Sequence, residues 1–249
     1  MKRKFLLILL IFLLGTVTCQ ATDVPILLYH NTYTPFAPSQ AGNNISPWLF
    51  EQQLITLLDA GYQVISLKDY VKSFRGEYEL PAKPVVITFD DGYLSNYQYA
   101  YPILKKHNLK ATIFVITGRM GMMDTTYPHF TWQQAREMQS SGLIDIYSHT
   151  NDHLRLSELS DEDMRVQLRR SKYIIEKELG IRCDILAFPF GNLDTRTANM
   201  ANQAGYRTIC RVGDIGSNYA VGDLLNLKRY TVHGNMEPWQ VIEMIEKGM

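Results

Sequence analysis

The chain of 249 residues lacks the features of a nucleic-acid-binding, disulfide-rich or multidomain protein. It has only three cysteines, and its 25 lysine and arginine residues are matched by 25 acidic residues. A chain with no net positive charge gives no indication of a nucleic-acid or anionic-membrane partner. No repeat, low-complexity tract or long linker divides it. The sequence therefore predicts one domain with a full hydrophobic core and no nucleic-acid partner.

Long hydrophobic runs are also scarce, and the one exception is at the N-terminus. Basic residues at positions 2–4 precede an unbroken apolar run over 5–14, and mostly small residues follow up to Ala21. This order is typical of a secretory signal peptide, and the run is shorter than the ~20 residues of a membrane span. We expect residues 1–21 to be a signal peptide and residues 22–249 to form the domain. The protein would then be secreted or associated with the cell envelope. The alternative is an uncleaved anchor that attaches it to the membrane or cell wall.

Two cysteines remain beyond that segment. Cys183 falls at the start of one predicted strand and Cys210 near the end of the next. This places their Cα atoms beyond the ~7 Å limit for a disulfide. We expect two free, buried thiols.

Short apolar segments rich in β-branched residues alternate along the chain with amphipathic segments. Such strands are typical of a buried parallel sheet, and their alternation with helices places the helices outside it. About seven strands predict an α/β fold with a closed or nearly closed barrel, and an open doubly wound sheet is the alternative. The predicted strands are 25–29, 64–67, 85–89, 111–116, 144–147, 185–188 and 207–211.

The predicted helices have recognisable first residues. A serine, threonine or aspartate can accept a hydrogen bond from the first helical turn, and proline fits the first helical position. Glycine ends several of these helices. The predicted starts are Ser46, Thr131, Ser160, Asp194 and Glu237.

Two short strings after predicted strands carry titratable groups that suit hydrolysis. Asp90 and Asp91 follow one strand, and His149 and His153 follow the next but one. The carboxyl ends of parallel strands meet on one rim, so these side chains should converge. The spacing of the two histidines places both on one face if that segment forms a helical turn.

An aspartate and two histidines are a sufficient ligand set for a divalent cation with open positions. Asp91, His149 and His153 would be those ligands, and the absence of thiolates favours Zn²⁺. Asp90, which is left over, is then placed to act as a base on the attacking water. His30 and the segment 189–191 also follow predicted strands and should reach the same rim.

The strings 88–92 (Thr-Phe-Asp-Asp-Gly) and 149–153 (His-Thr-x-x-His) resemble the first two motifs of the polysaccharide deacetylases. This family is also called the NodB-homology domain or carbohydrate esterase family 4. The resemblance covers nearly the whole chain after the N-terminal segment. The pair Tyr29-His30 is most similar to the branch that deacetylates poly-N-acetylglucosamine.

The resemblance implies a single-domain, distorted (β/α)7 barrel and a metal-dependent N-deacetylase. Its substrate would be N-acetylglucosamine residues of a polysaccharide, namely poly-N-acetylglucosamine, peptidoglycan or a chitin-like polymer, with release of acetate. It implies the same ligands and the same base, Asp90, as the residues alone suggest.

The third family motif, Arg-x-Pro-Tyr-Gly, aligns with residues 187–191, where Ala187 replaces the arginine and Phe190 the tyrosine. The resemblance implies that Pro189 and Phe190 border the substrate and that the Phe190 N–H holds the oxyanion, which a change of side chain preserves. The family arginine orients the base. Asp90 therefore is less restrained here or is held by another residue.

The acid that protonates the leaving amine has two candidates. The Tyr-His branch implies His30, which we favour, whereas the C-terminal Leu-x-His motif of most members has a weak counterpart in His233. The fourth family motif has no clear counterpart, and only Asp214 and Asp223 are candidates for it.

Most aromatic residues after the Asp pair, and Trp132, are expected to pack in or against the core. Tyr93 is the exception that we expect to contact substrate, because of its position. His107 and His129 have no motif support, and we expect them in surface or loop positions.

Two other functions are compatible with the sequence. A small amide, imide or ureide hydrolase would use the same fold, but the N-terminal segment argues against it because such substrates are usually intracellular. A non-catalytic sugar-binding protein is supported only by Ala187, and the intact Asp-Asp-His-His set argues against it.

Overall fold

The computed structural model describes residues 24–33, 42–212 and 223–247, and the expected signal peptide lies outside them. Within these ranges, no helix has both the length and the apolar character needed to cross a membrane. The strands are β1 (Ile26–Tyr29), β2 (Asn31–Thr32), β3 (Asn44–Ile45), β4 (Gln63–Ile65), β5 (Pro84–Phe89), β6 (Ala111–Val115), β7 (Ile144–Ser148), β8 (Ile185–Ala187), β9 (Thr208–Val212) and β10 (Leu227–Thr231).

Seven parallel strands close into a ring, which confirms the (β/α)7 barrel. The order around the ring is β1, β10, β9, β8, β7, β6 and β5, and β5 pairs with β1 to close it. β2 and β3 form a separate two-stranded parallel ladder beside the rim. Every residue of β5 is buried, as expected for a strand with a filled barrel on one face and helices on the other.

The seven strands of the ring are not the seven that the sequence predicts. The predicted strand 64–67 is β4, which pairs with the first half of β5 outside the ring, and Leu67 instead starts a helix. β10, which completes the ring between β9 and β1, is not among the predicted strands. Its sequence, Leu-Lys-Arg-Tyr-Thr, mixes charged with apolar residues and so lacks the continuous apolar run of the other strands.

The helices surround the ring, and the predicted starts are confirmed. Ser46, Thr131, Ser160 and Asp194 each accept a hydrogen bond from the first turn of their helix. Two short helices were missed because seven residues or fewer show no clear apolar period. The helices are α1 (Pro47–Asp59), α2 (Leu67–Ser73), α3 (Tyr101–Lys106), α4 (Trp132–Ser140), α5 (Asp161–Leu179), α6 (Thr195–Gln203) and α7 (Pro238–Lys247).

An aromatic cluster in the core fixes two strand ends at the rim. The rings of Tyr29 and Phe89 both contact Phe50, with centroids 5.1 and 5.5 Å away. Because Tyr29 and Phe89 immediately precede His30 and Asp90, this packing positions both of those residues. Elsewhere in the core the two cysteines are free and buried, as predicted.

Two glycines test how closely the barrel packs. Gly191 and Gly180 have φ angles of 69° and 66°, in the left-handed region. A Cβ at Gly180 would meet open space, whereas one at Gly191 would collide with the Val212 carbonyl oxygen and lie 2.9 Å from the Val212 nitrogen.

Gly180→Ala should therefore lower the free energy of unfolding by about 1–2 kcal/mol, the cost of left-handed backbone strain. Gly191→Ala should cost clearly more because β9 must move. Urea denaturation measures both, and equal losses would contradict the packing described.

Candidate metal centre

The ends of β5 and β7 place the two aspartates and the two histidines side by side. The Asp90 N–H donates to the Tyr29 carbonyl at 3.0 Å, and the His149 N–H donates to the Val115 carbonyl at 2.9 Å. Each motif therefore continues the sheet for one residue before its chain turns away. The strands lie two apart in the ring, separated by β6, so both motifs reach the same part of the rim.

Asp91, His149 and His153 form a cluster with the dimensions of a metal site. Asp91 Oδ1 lies 3.6 Å from His149 Nε2 and 3.6 Å from His153 Nε2, and the three ligand atoms lie within 4.8 Å of one another. In a tetrahedral zinc site with bonds of about 2.1 Å, neighbouring ligands are roughly 3.4 Å apart. The two distances from Asp91 are close to this value, so these three groups could hold one divalent cation once the ligand atoms draw closer together.

Both imidazoles are placed as metal ligation needs. His149 Nδ1 donates to the Ala187 carbonyl at 2.8 Å, which orients the ring so that Nε2 faces Asp91. Burial, together with the neighbouring His149, lowers the pKa of His153 to about 4, so that this ring is neutral at pH 7. Ala187, which stands where the family motif has an arginine, thus orients the candidate ligand His149 through its backbone carbonyl.

The two histidines do not come together through a helical turn, so that expectation is wrong. Thr150 and His153 have left-handed φ angles of 68° and 59°. The turn is held by hydroxyl groups: the Thr150 N–H donates to Ser148 Oγ at 3.1 Å, and the His153 N–H donates to Thr150 Oγ1 at 3.1 Å. The two imidazoles meet edge to face, with ring centroids 4.8 Å apart.

Backbone strain is concentrated at this cluster. Five non-glycine residues of the described ranges have left-handed φ angles, and four of them belong to the site. Each such residue costs roughly 1–2 kcal/mol unless surrounding contacts impose it. Strain of this kind is typical of functional sites. The four residues are Asp91, Thr150, His153 and Phe190.

Asp90 is held by an arginine from β10, which lies two strands from β5 in the ring, on the other side of β1. Arg229, on β10, donates to both carboxylate oxygens of Asp90 at 2.7 Å, and its own side chain is completely buried beside the ring of Phe114. Burial alone would raise the pKa of Asp90, but Arg229, with a smaller contribution from His149, outweighs burial and lowers it to about 2. Asp90 is therefore ionised at neutral pH and fixed in orientation.

Sequence reasoning missed Arg229. Ala187 indicated only that Asp90 needed some other partner, and Arg229 lies in the one ring strand that was not predicted. The available signal was weak, because Arg229 directly follows Lys228 and the segment before His233 reads as a mixture of charged and apolar residues. Without that strand, nothing indicated that its side chain enters the barrel.

The structure separates the two candidate acids. His30 follows β1, whose register with β5 pairs Tyr29 with Phe89 and so places His30 beside Asp90. Its Nδ1 is buried without a hydrogen-bond partner, and burial lowers its pKa although Asp90 and Asp91 oppose the shift. His233 is exposed, and its Nδ1 donates to the Gly42 carbonyl at 3.1 Å.

The cluster opens to solvent on the side of His153 and Phe190. The Phe190 side chain is 48% exposed, its ring centroid lies 4.7 Å from that of His153, and the Arg155 guanidinium covers it at 4.2 Å. Pro189, just before it, is buried. On another side lies Tyr93, where burial, with a smaller contribution from the nearby Asp91 carboxylate, raises the pKa of the hydroxyl. Asp90 and His149, both almost fully buried, form the floor.

The remaining predicted residues lie away from the cluster or differ from expectation. His129 lies outside the named helices and strands, as expected for a loop residue, but it is buried, 2% exposed, beside the ring of Tyr93. His107 lies partly buried near the surface, where its Nε2 is 2.7 Å from Glu51. Asp223 is exposed and caps a turn, and Asp214 lies outside the described residues.

The sequence is similar to that of known proteins. Residues 77–209 match the family model described as polysaccharide deacetylase. The chain is 35% identical over 192 residues to YxkH of Bacillus subtilis (strain 168), covering 76% of this chain and 64% of YxkH. It is 27% identical over 173 residues to the poly-beta-1,6-N-acetyl-D-glucosamine N-deacetylase of Staphylococcus aureus (strain MRSA252), covering 66% of this chain and 59% of that protein.

The chain thus spans less than two thirds of the length of these two relatives. Among solved structures, Streptococcus pyogenes deacetylase PplD in complex with acetate superposes with a TM-score of 0.80. It is 30% identical, and the match covers 90% of this chain and 98% of PplD.

The buried pair of Asp90 and Arg229 predicts a large coupling energy. Arg229→Met should lower the free energy of unfolding by about 3–5 kcal/mol, because it leaves a buried carboxylate without its partner. Adding Asp90→Asn should restore part of that loss. The matched control is Arg136→Met, which breaks an exposed ion pair with Glu178 and should cost no more than about 1 kcal/mol. Urea unfolding of these variants measures the coupling, and equal losses for Arg229→Met and Arg136→Met would contradict it.

Proposed function

The chain belongs to the polysaccharide deacetylase family, and on that basis we propose that it is an exported, zinc-dependent hydrolase. Its substrate would be the N-acetylglucosamine residues of a polysaccharide, from which it removes acetyl groups. The observation that carries this proposal is the cluster of Asp91, His149 and His153 with the ionised Asp90 beside it.

A divalent cation held by Asp91, His149 and His153 would supply a Lewis acid for the acetamide carbonyl and for the attacking water. Asp90 accepts a proton from that water as its oxygen adds to the carbonyl carbon. Because Arg229 lowers the pKa of Asp90 to about 2, the carboxylate contributes correct orientation more than basicity. General bases typically contribute ~10²–10⁴-fold in rate.

Two further groups complete the proposed reaction. The Phe190 N–H, on its left-handed turn beside His153, stabilises the developing oxyanion. His30, beside Asp90 and with its Nδ1 unpartnered, relays to the amine nitrogen the proton that Asp90 accepted from the water. The carbon–nitrogen bond then breaks, which releases acetate and leaves a free amine on the sugar.

Two comparisons support an N-acetylated polysaccharide as the substrate. The Staphylococcus aureus relative is named for poly-beta-1,6-N-acetyl-D-glucosamine, and the Streptococcus pyogenes structure holds acetate, the second product of such a reaction. Poly-N-acetylglucosamine, peptidoglycan and chitin-like polymers all supply the required acetamide.

The proposal predicts acetate release that depends on a metal. Purified protein should release acetate from β-1,6- and β-1,4-linked N-acetylglucosamine oligomers, lose this activity after treatment with a chelator, and regain it with Zn²⁺. An enzyme-coupled acetate assay measures the release. If no acetylated sugar yielded acetate in the presence of metal, the proposed function would be wrong.

The two adjacent aspartates should have different roles. Asp90→Asn should reduce turnover by at least ~10²-fold while zinc binding persists, because Asp90 serves as a base and not as a ligand. Asp91→Asn should weaken zinc binding as well as turnover. Metal content by atomic emission and acetate release, measured on the same samples, distinguish the roles. Loss of zinc from both variants alike would contradict the assignment.

Export is proposed from the N-terminal segment alone. If residues 1–21 are a cleaved signal peptide, the mature protein should begin at Thr22 and be found outside the cytoplasm. Mass spectrometry of the native protein after cell fractionation tests this. An intact N-terminus in the cytosolic fraction would contradict it.

A further inference from the structure

A second cavity lies next to the candidate metal centre, on the side of Tyr93. Its volume is about 400 Å³. Sites for small ligands typically measure roughly 300–1,000 Å³, so this cavity suits a single sugar unit. The proposed deacetylation reaction does not involve this cavity. Its walls are formed by Tyr93, Arg119, Met122, Tyr127 and His129, together with two neighbouring threonines.

One wall is fixed to the chain that directly follows the Asp pair. Tyr93 and His129 form an isolated antiparallel bridge. On either side of it, the Leu94 N–H donates to the Pro128 carbonyl at 2.7 Å, and the Phe130 N–H donates to the Gly92 carbonyl at 3.2 Å. Because Tyr93 lies two residues after Asp91, this cavity wall and one candidate metal ligand belong to the same short segment.

The opposite wall is fixed to the histidine motif. Thr117 Oγ1 donates to Asn151 Oδ1 at 3.0 Å, and the Gly118 N–H donates to the Asn151 carbonyl at 2.8 Å. The approach is close, since a Cβ at Gly118 would lie 2.6 Å from Asp152 Oδ1. The backbone that carries the Arg119 side chain is therefore held in place against the histidine motif.

Arg119 places a positive charge in the cavity wall. Its side chain is exposed and makes no ion pair or hydrogen bond with any of the described residues. No carboxylate lines the cavity. A planar guanidinium in this setting is suited to bind a carboxylate or phosphate through charge-assisted hydrogen bonds.

His129 adds an unsatisfied polar group at the cavity wall. It is 2% exposed, and neither ring nitrogen has a hydrogen-bond partner. Burial, with a smaller contribution from Arg119, lowers its pKa to about 4, so the ring offers one donor and one acceptor at pH 7. A buried polar group without a partner costs about 1–3 kcal/mol, which favours a ligand that completes its hydrogen bonds.

We propose that this cavity binds the sugar unit next to the one that is deacetylated, and that Arg119 selects a unit carrying a carboxylate or phosphate. The inclined rings of Tyr93 and Tyr127, with centroids 5.5 Å apart, offer apolar faces to the sugar. His129 bonds a sugar hydroxyl. This inference rests on the proposed function and narrows it to polysaccharides in which N-acetylglucosamine neighbours an acidic unit.

The test compares acetate release from three matched oligomers of equal length. One contains only N-acetylglucosamine, one alternates it with a carboxylate-bearing sugar, and one carries a phosphate on the adjacent unit. Wild-type protein should have a higher kcat/KM for at least one acidic oligomer, and the pair of acidic oligomers distinguishes carboxylate from phosphate. Arg119→Ala should lower kcat/KM for the preferred oligomer by roughly 10- to 100-fold, mainly through KM, with a much smaller loss for the neutral oligomer. Arg119→Lys should retain part of the preference.

The control is Arg155→Ala, which removes a different exposed charge near the cluster, over the ring of Phe190. It should affect acidic and neutral oligomers to a similar extent. Equal losses for all oligomers with Arg119→Ala, or the same charge-selective loss with Arg155→Ala, would overturn the inference. If no oligomer released acetate, the proposed function would fail. In that case, calorimetry would measure the affinity of wild type and Arg119→Ala for the same oligomers. A loss of affinity in Arg119→Ala for the acidic oligomers alone would support the inference, and equal affinities would overturn it.

Discussion

The buried ion pair between Asp90 and Arg229 is the interaction on which the candidate site depends. Removing two charges from water costs several kcal/mol per ion, and only close, well-oriented pairing offsets that cost. The two contacts at 2.7 Å provide such pairing, but only because β10 completes the ring in a register that directs Arg229 into the barrel. The ionised state of Asp90, the candidate base, therefore depends on closure of the barrel by β10.

The same pair separates the roles of two adjacent aspartates. Arg229 engages both oxygens of Asp90, whereas the left-handed backbone of Asp91 turns the next carboxylate towards the two imidazoles. The strained turn at Thr150 and His153 brings the second imidazole to the first. Three strands thus contribute distinct constraints, and a cation site forms where they meet beside a fixed, charged carboxylate.

The sequence predicted the features that depend on local patterns. The capping residues of α1, α4, α5 and α6, the single-domain barrel and the approach of Asp91 to His149 follow from short motifs and from the geometry of parallel strands. The features that depend on distant pairing were missed. β10 has a mixed apolar and charged sequence and is a strand because β9 and β1 leave a gap that it fills. For the same reason nothing local marked Arg229, and the burial of His129 depends on a bridge to Tyr93 that no periodicity reveals.

The most direct test of this account is a crystal structure of the zinc-loaded protein with anomalous scattering measured at the zinc edge. The account predicts one anomalous peak at about 2.1 Å from Asp91 Oδ1, His149 Nε2 and His153 Nε2, with Asp90 still paired to Arg229. A peak elsewhere, or Asp90 in the place of one of these ligands, would contradict it.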